Sequence, residues 1–326
     1  MRVRCDIVIA TWNAVPMTRT ALASVRDKSA HPYRLILVDN SDEEEAREQY
    51  RAIAACGEYG ETLLIQNEGN LGWLKATNLG LQVADGDYVC LLNNDVVCGD
   101  GWLARCIDLI RREPDIGLVN PRGNERLENA EVADVDAYAH HLATSESGRY
   151  TERAHCSGFC LVMPRRVVAE VGLLDDIFAG GYYEDNDFSY RARAAGYRCA
   201  QCDDAFVFHL GSQSFGKLPV EEKRAMVERN RQICEVRWGT PRRELLLVAG
   251  PGVAAGEIIE RIRQGRVFLV DSPWLPDKVR RFRHQYFTLI PAGRLGPRVT
   301  FWLQRAYLRY KKRIDSEGIL GGSGDA

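Results

Sequence analysis

Four places in this 326-residue chain set oxygen-rich side chains directly behind an apolar run. Tyr88–Leu92 ends at Asn93-Asn94-Asp95 before Val96-Val97 resumes. Asp6–Ala10 runs into Thr11-Trp12-Asn13, Arg34–Val38 into Asp39-Asn40-Ser41-Asp42, and Thr62–Ile65 into Asn67-Glu68-Gly69-Asn70. Carboxylate and amide oxygens so placed suit a hard cation or a phosphate-bearing ligand. The plainer alternative is a set of turns, because Asn and Asp tolerate left-handed geometry. Glu184-Asp185-Asn186-Asp187 follows Gly180-Gly181, where acids suit either proton transfer or a helix N-terminus. His209 closes another apolar run, Ala205–Phe208.

The surrounding pattern says what must position these groups. Apolar runs at Asp6–Ala10, Arg34–Val38, Thr62–Ile65 and Tyr88–Leu92 read as buried strands. Helical spacing lies between them at Pro16–Asp27, Glu43–Ala55 and Trp73–Val83. Such alternation predicts a parallel sheet covered on both faces, with ligands beyond the carboxyl ends of its strands. Helices are also expected at Trp102–Arg112, Arg165–Val171, from the Gly180 turn to about Ala195, and at Val220–Trp238. Asn120–Arg153 reads as a polar, irregular loop with short strands, Cys156–Met163 as apolar, and Tyr197–Cys202 and Ala205–Phe208 as two short edge strands. A boundary is expected near residue 240. It gives a catalytic domain over 1–240 and a helical accessory region over 241–326, ending in a loose Gly-rich tail from Gly318.

Composition narrows the class. Hydrophobic residues make up 45% and charged residues 27%, as in an ordinary soluble protein, and a net charge of -2 gives no dominant attraction to nucleic acid. No apolar run is long enough to span a bilayer, and Met1–Asp6 leads straight into a strand, so a cytoplasmic chain is expected. The ten cysteines are scattered, which suits a reducing compartment. Cys199-Ala-Gln-Cys202 lacks a second pair, and on a strand its side chains face opposite ways, against zinc or redox use.

Taken in order, "VIATWN", "LILVDNSD", "NEGNLGWLKATNLGL", "DYVCLLNNDV", "GLLDDIFAGGYYEDNDFSYRARAAGY" and "VFHLGSQSF" resemble glycosyltransferase family 2, the inverting GT-A type, in its rhamnosyltransferase-like branch. The resemblance covers Ile7–Gly239. It implies a GT-A (nucleotide-diphospho-sugar transferase) fold. It also implies transfer of a sugar from a UDP- or dTDP-sugar to an acceptor hydroxyl, assisted by Mn²⁺ or Mg²⁺. By resemblance Asp95 ends the family's Asp-x-Asp motif, with Asn93 replacing the first acid and Asn94 between them, and His209 is the other metal ligand. Asp185 is then the general base and Glu184 the residue that orients the acceptor. Thr11, Trp12 and Asn13 line the base pocket, with Trp12 as core the alternative. Asp39 faces the pyrimidine N3–H, which favours uracil or thymine. Asn70, Gly72, Lys75 and Asn78 belong to the Asn-x-Gly…Asn segment at the donor, and Gly158 lies in the acceptor channel.

Two rivals stand beside this reading. An amide at Asn93 is a weaker ligand than a carboxylate, which fits a sugar-nucleotide binder that has lost transfer. A nucleotidyltransferase would also pair an α/β sheet with a metal, but "TWNAVPMTR" is no basic Gly-rich phosphate loop. Lys278–Arg313 contains no acid, and within it Arg298–Arg313 reads as an amphipathic basic helix. That helix suits either packing on the protein or peripheral contact with an anionic membrane, in keeping with the lipid-linked, glycan or small-molecule acceptors of the family.

Overall fold

The computed structural model describes residues 3–124, 134–211, 219–292, 296–310 and 314–320, and strands and helices alternate from its start. The first elements are β1 (Cys5–Thr11), α1 (Val15–Lys28), β2 (Tyr33–Asp39), α2 (Glu44–Ala55), β3 (Thr62–Gln66), α3 (Trp73–Val83) and β4 (Tyr88–Leu92). There follow β5 (Val96–Cys98), α4 (Trp102–Arg112), β6 (Ile116–Arg122), α5 (Val135–Ser145), β7 (Tyr150–Arg153), β8 (Cys160–Pro164), α6 (Arg165–Val171), α7 (Glu184–Ala194), β9 (Arg198–His209) and α8 (Val220–Trp238). The chain divides into two compact units, residues 1–151 with 155–238 and residues 152–154 with 239–326.

The first unit is built on a sheet in the order β3-β2-β1-β4-β8-β6-β9-β5. β1 to β4 are parallel, and β8 runs antiparallel between β4 and β6. The unbroken apolar runs reflect burial on both faces. Along β1, Cys5, Ile7 and Ile9 enter one core with Trp102 and Tyr50, whereas Val8 and Ala10 enter the other with Phe178 and Phe188. Leu35 and Leu37 of β2, and Cys90 and Leu92 of β4, repeat that division against Ile36, Val38, Val89 and Leu91. A strand buried on both faces has no polar face to reveal its period, only its apolar length.

Two stretches of this unit differ from the sequence reading. The polar stretch Asn120–Arg153 holds the helix α5, whose Val135, Ala139 and Leu142 pack at helical spacing on Phe206 and Phe208. Residues 125–133 of that stretch lie outside the described residues. The two expected edge strands are one strand, β9, which pairs with β6 from Arg198 to Phe206 and with β5 from Val207 to His209. A register shift moves the pairing from Pro121↔Cys202 to Arg122↔Phe206. The skipped segment contains Asp203, whose buried carboxylate is held by Arg122, Gln201 and Thr151. Asp203 and Asp204 fall between the two expected strands. Cys199 and Cys202 enter opposite cores, as their spacing on a strand requires.

The second unit overturns the expectation of a helical extension. It contains β10 (Arg242–Val248), α9 (Ala255–Gln264), β11 (Gly265–Val270), α10 (Asp277–Arg280), β12 (Phe287–Ile290), α11 (Pro297–Tyr310) and β13 (Ser316–Leu320). Its four strands are all parallel, in the order β12-β11-β10-β13 that typifies half of a doubly wound sheet. The first residues of the supposed tail form β13, and residues 321–326 lie outside the described residues. Phe301 and Leu308 of α11 are buried with Leu245 and Leu247, while Trp302, Leu303 and Tyr307 are exposed. Among the described residues no helix is long and apolar enough to cross a membrane.

Candidate active site

A cavity of about 1110 Å³ opens beyond the carboxyl ends of β1, β2 and β4 in the first unit. It is lined by Thr11, Trp12, Asn70, Gly72, Lys75, Asn93, Asn94, Asp95, Gly158, Glu184, Asp185 and His209 among others, so most of the sequence candidates meet in one place.

One part of the lining brings two side chains to a single nitrogen. Nε2 of His209 lies 3.1 Å from Oδ1 of Asp95 and 3.2 Å from Nδ2 of Asn93. The backbone accounts for this meeting. Val96 pairs with His209 across β5 and β9, and the Leu210 N–H donates to the Asp95 carbonyl, so the ends of two distant strands are laced together. The Asn93 N–H donates to the Phe159 carbonyl, and the Phe159 ring stacks on the imidazole at 5.2 Å. Asp95 is buried and His209 partly open to the cavity. Asn94 is turned to the side, its amide donating to Thr18 Oγ1 at 3.1 Å.

Another part of the lining carries the acids. Gly180, Gly181, Tyr182 and Tyr183 all have positive φ, between 66° and 98°, and deliver the chain into α7. Left-handed backbone at the two tyrosines costs about 1–2 kcal/mol each, which the surroundings must offset. Asp185, at the start of α7, accepts the Gly158 N–H at 3.0 Å and the Asn186 N–H at 2.8 Å. Burial pushes its carboxyl above the usual range, against the opposing pull of the Gly158 N–H and of His155. Glu184 is 7% exposed, and its Oε2 has no hydrogen-bond partner. Burial, then the charge of Asp185, raises its carboxyl to about 8. Gly158 is confined: a Cβ there would sit 3.0 Å from the Trp73 ring and 3.8 Å from the Asp185 Cβ.

Asp187 takes no place on the cavity wall. It is fully buried, with Oδ2 held by Arg191 at 2.8 Å and Oδ1 by Arg237 at 2.8 Å and Trp238 at 2.9 Å. It bolts α8 to α7.

Three expected donor residues lie off the lining. Asp39 is fully buried, and its oxygens accept the Ser41 N–H and the Gln66 amide. It shapes the loop behind the pocket, since Ser41 Oγ in turn accepts the Asn13 N–H. Asn13 binds Asp42 through its amide, and its Oδ1 accepts the Glu43 N–H. Asn78 is a pin, exchanging two hydrogen bonds with the backbone of Leu174 at 2.8 and 3.0 Å. Sequence reasoning overlooked Asp42, which also receives the Trp12 indole at 3.3 Å, although it stands in the same acidic strand exit as Asp39. It also overlooked Asn40, which lines the cavity and ties the turn at Asn67, Leu71 and Gly72 to β2. Lys75 is exposed on the rim and has no ion pair among the described residues.

The profile of glycosyl transferase family 2 matches residues 6–172. An uncharacterized protein of Sinorhizobium fredii is 26% identical over 72% of this chain and 27% of its own length, and a chondroitin synthase of Escherichia coli is 23% identical over 63% and 34%. The chain thus spans about a third or less of those two relatives. An N-acetylglucosaminyl-diphospho-decaprenol L-rhamnosyltransferase of Mycobacterium tuberculosis is 24% identical over 65% of this chain and 78% of its own. Among solved structures, GalNAc-T7 with UDP, GalNAc and Mn²⁺ superposes with a TM-score of 0.52 at 17% identity, covering 64% of this chain and 44% of that one. Residues 1–349 of S. aureus TarS in complex with UDP-GlcNAc give 0.51 at 14%, covering 72% and 66%. The chain therefore belongs to glycosyl transferase family 2, a family of glycosyltransferase enzymes, and carries the GT-A fold.

Proposed function

We propose that the chain is an inverting, metal-assisted glycosyltransferase. It moves a sugar from a UDP- or dTDP-sugar to an acceptor hydroxyl with Asp185 as general base. The observation that carries this reading is the convergence of Asn93, Asp95 and His209 in the cavity that Glu184 and Asp185 also line. Asp95 through a carboxylate oxygen and His209 through Nε2 would hold Mn²⁺ or Mg²⁺, and Asn93 would add its amide oxygen once the amide, whose Nδ2 now faces His209, is turned over. Among the described residues no three His, Cys, Asp or Glu side chains group as a metal site. A divalent cation bound by these residues would supply positive charge against the diphosphate leaving group. Lys75 adds a positive charge at the rim. Asp185, held by the Gly158 N–H, takes the proton from the acceptor hydroxyl, and its raised pKa makes it a stronger base than an exposed Asp. Glu184, its carboxyl raised to about 8 by burial and by the charge of Asp185, orients the acceptor through the O–H of its protonated form.

The acceptor class is the finer part of the proposal. A membrane-bound acceptor is supported by α11, which exposes Trp302, Leu303 and Tyr307 on one face, with six cations in the sequence from Arg298 to Arg313. Interfacial aromatics flanked by cations suit an anionic bilayer. The protein would then work from the cytoplasmic side of a membrane.

A melting-shift screen of UDP-, dTDP- and GDP-sugars, each with and without Mn²⁺, tests the donor. NMR of the product's anomeric configuration tests inversion. Binding without turnover on any hydroxyl acceptor, water included, would support the impaired binder instead.

A further inference from the structure

The acid pair hangs on a loop that ordinary backbone preferences would not hold. Four successive residues, Gly180 to Tyr183, have positive φ, and two of them are tyrosines. Such a run persists only where its neighbours determine it. The neighbour is α8. Asn230, with no exposed surface, donates its side-chain amide to the carbonyls of Gly181 at 2.8 Å and Tyr182 at 3.2 Å. Its own Oδ1 accepts Arg229 Nη1 at 2.7 Å, which fixes the direction of the amide. One turn earlier Met226 packs on Gly180 so closely that a Cβ there would lie 2.2 Å from the sulfur. Two turns later Arg237 and Trp238 grip Asp187. One helix therefore holds the chain on both sides of Glu184 and Asp185.

We propose that Asn230 is a positioning residue for transfer: its amide holds the left-handed loop that places Glu184 and Asp185 in the cavity. This rests on the reading of Asp185 as base. Asn230 is absent from the cavity lining, so its influence passes through the loop. Without its two donors the tyrosines can relax toward negative φ, the start of α7 shifts, and water reaches the acids.

The test is substrate-free in its first arm. Carboxyl groups of ¹³C-labelled Glu and Asp are titrated by NMR in wild type, Asn230→Ala and Asn230→Ser, with folding checked by circular dichroism. Among the described residues the charged or titratable groups that act on the acid pair include each other, His155 and Cys234 of α8, all unchanged in these variants. Glu184 is expected to titrate at least one unit below its wild-type value near 8 in Asn230→Ala. It should lie between the two in Asn230→Ser, which keeps one donor. Affinity for UDP with Mn²⁺ should stay within twofold, while kcat for transfer falls about tenfold with little change in donor KM. An unmoved Glu184 titration in folded Asn230→Ala, or in folded Asn230→Ser should the Ala variant not fold, would overturn the proposal. A titration that moves while Asp185→Asn retains full transfer would keep the loop anchor and overturn the base assignment instead.

Discussion

His209 and Asp95 stand 114 residues apart in the chain, yet Nε2 of one lies 3.1 Å from Oδ1 of the other, beside Asn93. An imidazole nitrogen and a carboxylate oxygen at that distance can share a proton or be joined by a metal ion. The proposed function takes the second.

UDP binding should therefore depend on Mn²⁺, and Asp95→Ala and His209→Ala should each weaken that dependence at least tenfold. Calorimetry in Mn²⁺ and in EDTA measures it. Equal affinity in the two buffers would remove the metal from the proposal.

The acids of α7 should separate by phenotype. Asp185→Asn keeps its shape and loses its basic site, so transfer should fall on the order of 10² or more with donor affinity little changed. Asp187→Asn breaks a buried network with Arg191, Arg237 and Trp238, so its main effect should be a loss of roughly 3 kcal/mol in stability. Full transfer by Asp185→Asn alongside an inactive but stable Asp187→Asn would reverse the two assignments.

Glu184 gives a pH signature in stability. Its folded carboxyl titrates near 8 against an ordinary 4.5, so the folded state binds the extra proton between those values. Its stabilising contribution is present below about 4.5 and lost as pH rises through about 8. Glu184→Gln cannot lose it. The melting temperature of the variant relative to wild type should climb between pH 5 and pH 9, by roughly several degrees. A flat difference would mean that Glu184 ionises freely.

Vesicle binding tests α11. The full chain should co-sediment with anionic vesicles, less so as salt is raised, and a Trp302→Ser, Leu303→Ser, Tyr307→Ser triple variant should not. The substituted side chains are exposed and Phe301 and Leu308 are untouched, so the unit should keep its melting temperature. Binding that survives the triple change would return α11 to a packing role.

Much of the first unit was legible in the chain. The apolar runs of β1, β2 and β4 and the helical spacings of α3, α4, α6 and α8 gave their own extents, because burial on both faces of a sheet or one face of a helix is written in residue type. The polar strand exits announced a site for the same reason: Asn93, Asn94 and Asp95 have no place in a core without partners. Other features depended on non-local contacts. The sequence cannot distinguish Asp185, open to the cavity, from Asp187, sealed by Arg237 and Trp238 some 50 positions away. Nor does it show that Asp39 spends its oxygens on Ser41 and Gln66, or that Asn230 holds the loop at Gly181. α5 and β9 were misread because their polar residues find partners only after folding, and the sheet of the second unit because short parallel strands need neighbours to be recognised. Residue type alone determined which groups could do the chemistry. Only the pairing of β5 with β9, and the seat of α8 against α7, decided which of them face one another.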